Sequence, residues 1–173
     1  MIALAKVLSM ITLFRLPQGG SITAGSMVPL ILFSYRWGVG PGVAVGVIYG
    51  LIDSISGYIV HPAQFFLDYV LAYGVIGLSG KLLGNDSKSI RGYIVSIIFA
   101  FLLRFFSHFM SGVIFFGEYA REGQSAFMYS LIYNGSFLGV EVIITLIIKV
   151  LKRFGKNYFN NCCTTMETII CKI

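Results

Sequence analysis

A chain of 173 residues that is 57% hydrophobic and 12% charged, with a mean hydropathy of +0.84, is too apolar for a water-soluble domain, whose charged share is usually about 25%. The formal charge of +6 falls mainly at the ends of apolar windows, which makes it a membrane-topology signal and not a nucleic-acid footprint. No stretch remains to build a separate soluble domain.

Apolar windows, each ended by charge or turn chemistry, cover residues 2–14, 26–35, 39–60, 65–83, 93–116 and 127–151. They predict an all-α integral membrane protein of six spans. The first two are shorter than the ~20 residues that cross ~30 Å of hydrocarbon, so the first is expected to continue into the loop before Ser26 or to be clipped at its start. Met1-Ile2-Ala3-Leu4-Ala5 lacks a basic leader region, and no A-x-A cleavage pattern follows; the expectation is a retained helix. Pro17-Gln18-Gly19-Gly20 forbids regular helix. Such backbone is tolerated at membrane depth only where protein or a water-filled cavity satisfies it.

The third window carries Gly38, Gly42, Gly46 and Gly50 at intervals of four. This small-residue ridge suits close helix approach, either inside the bundle or against a partner subunit. Pro41 is compatible with the first turn of that helix. The fourth window begins near Gln64 and contains Asp68 and Tyr69; the fifth contains Arg104, His108 and Gly112; the sixth starts with Tyr129 and Asn134. Cys162, Cys163 and Cys171 lie beyond the last window in neither a disulfide framework nor a metal spacing. They read as free thiols in a tail of residues 157–173, after a substrate-binding membrane domain of residues 1–156.

Basic residues set the expected sidedness. Arg36, then Lys81, Lys88 and Arg91, then Lys149, Lys152, Arg153 and Lys156 share one side, against Arg15 and Arg121 on the other. Short cytoplasmic loops retain Lys and Arg, so both termini and the tail are expected in the cytoplasm. The Pro17–Gly20 loop, the start of the fourth span, the outer half of the fifth and the start of the sixth then share the outer face.

Asp68 and His108 stand inside apolar windows, where an acid at a helix centre costs about 3 kcal/mol and marks a ligand or ion site by default. Gln64 and Asp68 are four apart, as are Arg104, His108 and Gly112, so each set lies along one helix face. A carboxylate, an imidazole, phenols from Tyr69 and Tyr129, the Asn134 amide and the rings of Phe115 and Phe116 suit a small, flat, nitrogen-rich cation. Arg104 is expected to pair with a protein acid or a carbonyl. Asp53 and Glu141 are expected in structural hydrogen bonds or at an interface, outside the pocket.

Taken together, Pro17-Gln18-Gly19-Gly20-Ser21-Ile22-Thr23, Gly25-Ser26-Met27-Val28-Pro29, His61-Pro62-Ala63-Gln64 with Asp68-Tyr69, Ser107-His108-Phe109 with Ser111-Gly112-Val113-Ile114-Phe115-Phe116, and Tyr129-Ser130 with Tyr133-Asn134 resemble the thiamine-specific S components of energy-coupling factor transporters. The likeness covers about residues 3–156. It implies a prokaryotic multi-pass cell-membrane subunit that captures thiamine from outside. It also implies a coupling transmembrane subunit and two cytosolic ATPases as partners, with no cofactor and no catalysis in this chain. Carried over by position, Asp68 is the binding carboxylate, followed by Tyr69, with His108, Gly112, Tyr129 and Asn134 at pocket positions, Tyr58 a pocket tyrosine and Gln64 beside them. Some members have Trp at the place of Phe116 and near Gly20, so stacking here falls to Phe116, His108 and tyrosines. The family's Ala-x-x-x-Ala docking pair is matched by Ala3 alone, since its first position would precede Met1; either the true start lies upstream or docking uses Ala3, Ala5 and Ser9 differently.

Other readings are an S component for a thiamine precursor or another vitamin, a self-sufficient secondary transporter, and a small intramembrane enzyme. The sequence holds no G-x-x-x-x-G-K-[ST] motif, in keeping with ATP hydrolysis delegated to partners. It shows no inverted repeat with broken helices in both halves, and no nucleophile motif or H-E-x-x-H spacing.

Overall fold

The computed structural model describes residues 1–82, 90–120 and 123–170, with side chains except at 81, 82, 90, 93 and 149–170. Lys88, Arg121 and Cys171 lie outside the described residues. The side chains of Lys81, Lys149, Lys152, Arg153, Lys156, Cys162 and Cys163 do too.

Apart from the 3₁₀ turns Pro17–Gly19 and Gly117–Tyr119, six helical segments occur among the described residues: α1 (Ile2–Met10), α2 (Met27–Trp37), α3 (Val39–Ser54), α4 (residues 62–82), α5 (Ile90–Phe115) and α6 (Ala126–Ile170). The chain is not purely α. The first window splits: α1 ends at Met10, and Thr12–Arg15 (β1) pairs antiparallel with Ser21–Thr23 (β2), with Thr12 opposite Thr23 and Arg15 opposite Ser21. The β-branched pair Ile11 and Thr12 favours extended backbone. The reversal is made by Gln18 and Gly19, both at positive φ, and closed by Leu16 N–H on the Gly20 carbonyl at 2.7 Å. The short first window therefore gains its length from a hairpin that satisfies its own backbone.

The third window also ends early. Ser54 Oγ turns back on the Leu51 carbonyl and Ser56 Oγ on that of Asp53, and residues 55–61 form an exposed loop. Of the described helices, the stretches Ile94–Phe115 and Ala126–Ile148 are long and apolar enough to cross a membrane alone; Val39–Ser54 and Pro62–Leu78 are apolar but shorter.

Gly42, Gly46 and Gly50 are buried inside the bundle. A Cβ on Gly46 would run into the Tyr73 carbonyl, one on Gly50 into that of Tyr69, and one on Gly42 into Ser34. The ridge therefore seats α4 and α2, and only Gly38, the left-handed cap of α2, has open space beside it. Gly46→Val should lower stability by about 1–3 kcal/mol by forcing α3 off α4. Gly40→Val, with nothing within 4 Å of its Cβ position, should change little. Thermal unfolding of both variants in detergent checks the contrast.

α4 is wound unevenly. Pro62–Phe65 is α-helical, Phe66–Leu71 opens into a π-helical turn, Ala72–Gly74 is α-helical again, Val75–Leu78 tightens to a 3₁₀ turn, and Ser79–Leu82 returns to the α form. The wide turn carries Asp68 and Tyr69. Its Leu67 carbonyl takes a bond from Ser107 Oγ of α5 at 2.7 Å as well as one from Ala72 N–H. The disturbed ladder is thus satisfied by a neighbouring helix, as membrane depth requires; single π turns recur at functional sites.

Candidate functional site

The π turn aims Asp68 across at α5, where its carboxylate collects three partners. Oδ1 lies 2.9 Å from His108 Nδ1; Oδ2 accepts from Gln64 Nε2 at 2.6 Å and from Ser111 Oγ at 2.7 Å. Gln64 is held in turn. Its Nε2 also reaches the Tyr58 carbonyl and its Oε1 accepts Val60 N–H, both at 3.2 Å, while His61 Nδ1 caps the start of α4 by accepting Ala63 N–H. The loop before α4 is therefore tied to the residue that orients the carboxylate.

Two further acids at depth are each neutralised by a cation. Arg104 NH1 meets Glu141 Oε2 at 3.0 Å, with both side chains at most 5% exposed; Glu141 Oε1 accepts from Thr23 Oγ1 at 2.7 Å, and the guanidinium lies 4.7 Å from the Tyr73 ring centre. Lys6 of α1 pairs with Asp53 of α3 at 2.8 Å, and Tyr73 OH donates to the other Asp53 oxygen at 2.7 Å. By contrast, Asp68 has no Lys or Arg among its hydrogen-bond partners. Among the described residues, Asp53 and Glu141 are thus paired with a Lys and an Arg, whereas Asp68 is paired with an imidazole.

These groups surround a cavity of about 670 Å³, within the 300–1,000 Å³ typical of small-molecule sites. The nine site residues carried over by the resemblance line it: Tyr58, Gln64, Asp68, Tyr69, His108, Gly112, Phe116, Tyr129 and Asn134. Their work differs. Gly112 is a spacer, because a Cβ there would strike Ser130 Oγ, so it lets α6 come close to α5. Asn134 Nδ2 donates to the His108 and Ser130 carbonyls at 3.2 and 3.0 Å, which fixes the amide plane beside the imidazole. Phe115 does not line the cavity and stacks on His61, with ring centres 5.1 Å apart.

The Pro17–Gly20 loop closes one wall from the α6 side. Tyr129 OH donates to Gln18 Oε1 at 3.3 Å, Tyr133 OH to the Pro17 carbonyl, and Gly20 N–H to Tyr133 OH at 3.0 Å. Gly19 sits against Tyr58 Cβ at positive φ, where side chains are strained. Tyr58 and Tyr119 share a hydrogen bond at 3.4 Å next to Phe116; that contact raises the Tyr119 phenol above the usual tyrosine value.

Lys6, Asp53, Ser111, Tyr133, Phe137 and Glu141 also line the cavity. Asp53 and Glu141 thus make the structural bonds expected of them but also belong to the cavity wall, where they were not expected. The signal was present: Lys6 and Asp53 are lone opposite charges in separate apolar windows, as are Arg104 and Glu141, and isolated charges at depth need each other. Tyr133 and Phe137 follow Tyr129 in steps of four and share its helix face.

A polar, charge-lined chamber enclosed by apolar helices defines a membrane-associated protein built to hold a small molecule. The chain belongs to the thiamine transporter protein family, whose model matches residues 1–159. It is 36% identical over 161 residues to the thiamine transporter ThiT of Bacillus subtilis, covering 86% of this chain and 83% of that one. To the thiamine transporter ThiT of Lacticaseibacillus paracasei it is 29% identical over 136 residues, 70% and 68% of the two chains. The solved structure of ThiT from Listeria monocytogenes superposes with a TM-score of 0.75 at 30% identity over 87% of each chain.

Proposed function

We propose that this protein is the substrate-capture subunit of an ATP-driven energy-coupling factor importer and binds thiamine from the extracellular side. The carrying observation is Asp68: a partly buried carboxylate on a π turn, held by Gln64, Ser111 and the imidazole of His108, with no Lys or Arg among its hydrogen-bond partners. Thiamine is a permanent cation with an aminopyrimidine, and its donors and charge complement such a group. Tyr58, Tyr69, Phe116 and Tyr129 supply aromatic faces for the rings, at roughly 0.5–2 kcal/mol per cation–aromatic contact. His108 and Asn134 add polar contacts, and Gly112 keeps the helices close enough to form the wall.

In this reading the chain spans a bacterial cell membrane six times with both termini inside, and the cavity opens outward beside the Pro17–Gly20 loop. Residues 1–156 form the binding domain and 157–173 a cytoplasmic extension. Its partners are one coupling transmembrane protein and two cytosolic ATPases, docked through the exposed face of α1 around Ala3. Ala5 is fully buried and Gly42, Gly46 and Gly50 face inward, so they take no part in docking.

Transport by reconstituted protein tests this. In liposomes the chain alone should bind thiamine without concentrating it, and added coupling and ATPase subunits should bring ATP-dependent accumulation. Gradient-driven accumulation by the chain alone would make it a secondary transporter.

A further inference from the structure

We infer that Arg104 is a positioning residue for the binding site: its Nε–H fixes His108 as the neutral Nδ1–H tautomer and so reserves the Asp68 charge for the ligand. The inference rests on the proposed cation-binding role of the cavity and adds a residue to it. Arg104 Nε approaches His108 Nε2 at 3.4 Å, on the edge of the imidazole opposite Asp68. A guanidinium Nε always carries its hydrogen and has no lone pair to accept one. His108 Nε2 must therefore present its lone pair, and the ring proton resides on Nδ1, from which it is donated to Asp68 Oδ1 at 2.9 Å.

Arg104 cannot easily turn away, because Glu141 holds its NH1, Thr23 holds Glu141, and the Tyr73 ring lies against the guanidinium. The ionisable groups around the imidazole are Asp68 from α4, Arg104 from its own helix and, one step behind Arg104, Glu141 from α6; Tyr69, Tyr129 and Tyr133 line the same cavity. The Phe137 ring meets the imidazole edge-on at 5.9 Å. A proton moved from Nδ1 to Nε2 would point at the guanidinium and leave a bare Nδ1 lone pair facing Asp68, while a second proton added at Nε2 would turn His108 into an imidazolium. That cation would pair with Asp68 and cancel the charge a cationic ligand needs.

Nitrogen-15 NMR of the full chain, histidine-labelled and ligand-free in nanodiscs at neutral pH, reads the tautomer directly. The chain has two histidines, and His61→Gln assigns the signals. The expected spectrum has the unprotonated nitrogen of His108 at Nε2. A proton on Nε2 in the wild-type protein, in either the other tautomer or the imidazolium, overturns the inference whatever the ligand proves to be. The double variant Arg104→Met/Glu141→Met removes the positioning cation without stranding its acid. It should gain proton occupancy at Nε2 and lose at least tenfold in thiamine affinity; an unchanged tautomer would show that Arg104 does not set it. If the double variant fails to fold, Arg104→Lys, which keeps a cation for Glu141 but lacks the planar Nε–H, is read in the same way, and an unchanged His108 tautomer there overturns the role of Arg104. A wild-type protein with the expected tautomer but no thiamine binding would defeat the proposed function while leaving the histidine assignment standing.

Discussion

Asp68→Asn should lower thiamine affinity at least about tenfold, some 1.4 kcal/mol or more, while the protein keeps its fold. The amide matches the carboxylate in shape and can still accept from Ser111 or His108, so the walls stay in place. What it loses is the negative charge opposite a permanent cation, together with charge-assisted bonds that are about twice as strong as neutral ones. Calorimetric titration gives the affinity, and thermal unfolding separates a binding defect from a folding one. Unchanged affinity would remove Asp68 from the site.

A larger effect on stability is expected at the buried pair. Arg104→Met leaves Glu141, 3% exposed, with only Thr23 for company, and stranding one partner of a buried ion pair typically costs about 3–5 kcal/mol. The second change Glu141→Met should recover most of that loss, because a pair of well-packed apolar side chains often replaces a buried ion pair at no cost. Unfolding measurements on the two single variants and the double close the cycle. A double variant as unstable as Arg104→Met alone would mean that packing around the guanidinium, and not its charge, holds α5 to α6.

Much of this arrangement was legible in the sequence. Apolar windows located the helical segments to within a few residues for α2, α5 and the start of α6, because apolar length is the dominant signal in a bilayer protein. Asp68 and His108 stood out because charge at depth is costly, and steps of four placed Gln64 beside Asp68. The β1–β2 hairpin was hidden inside an apolar run, since Ile11 to Phe14 satisfy a helix and a strand equally well by hydropathy. The π turn was hidden as well. It depends on Ser107 and Gly50 reaching α4 from elsewhere in the chain, and no local pattern announces such contacts. The Gly42–Gly46–Gly50 ridge showed that something packs closely there, but not that the something is the carbonyls of α4.

The most direct test is an equilibrium titration of the purified full-length chain with thiamine, followed by heat. Fluorescence is a poor reporter here, because the sole tryptophan, Trp37, is half exposed, stacked on Phe33 and absent from the cavity wall. The account predicts saturable one-to-one binding that Asp68→Asn weakens and Gly40→Val leaves unchanged. Absence of a thiamine isotherm from folded protein, or an equal isotherm with Asp68→Asn, would contradict it.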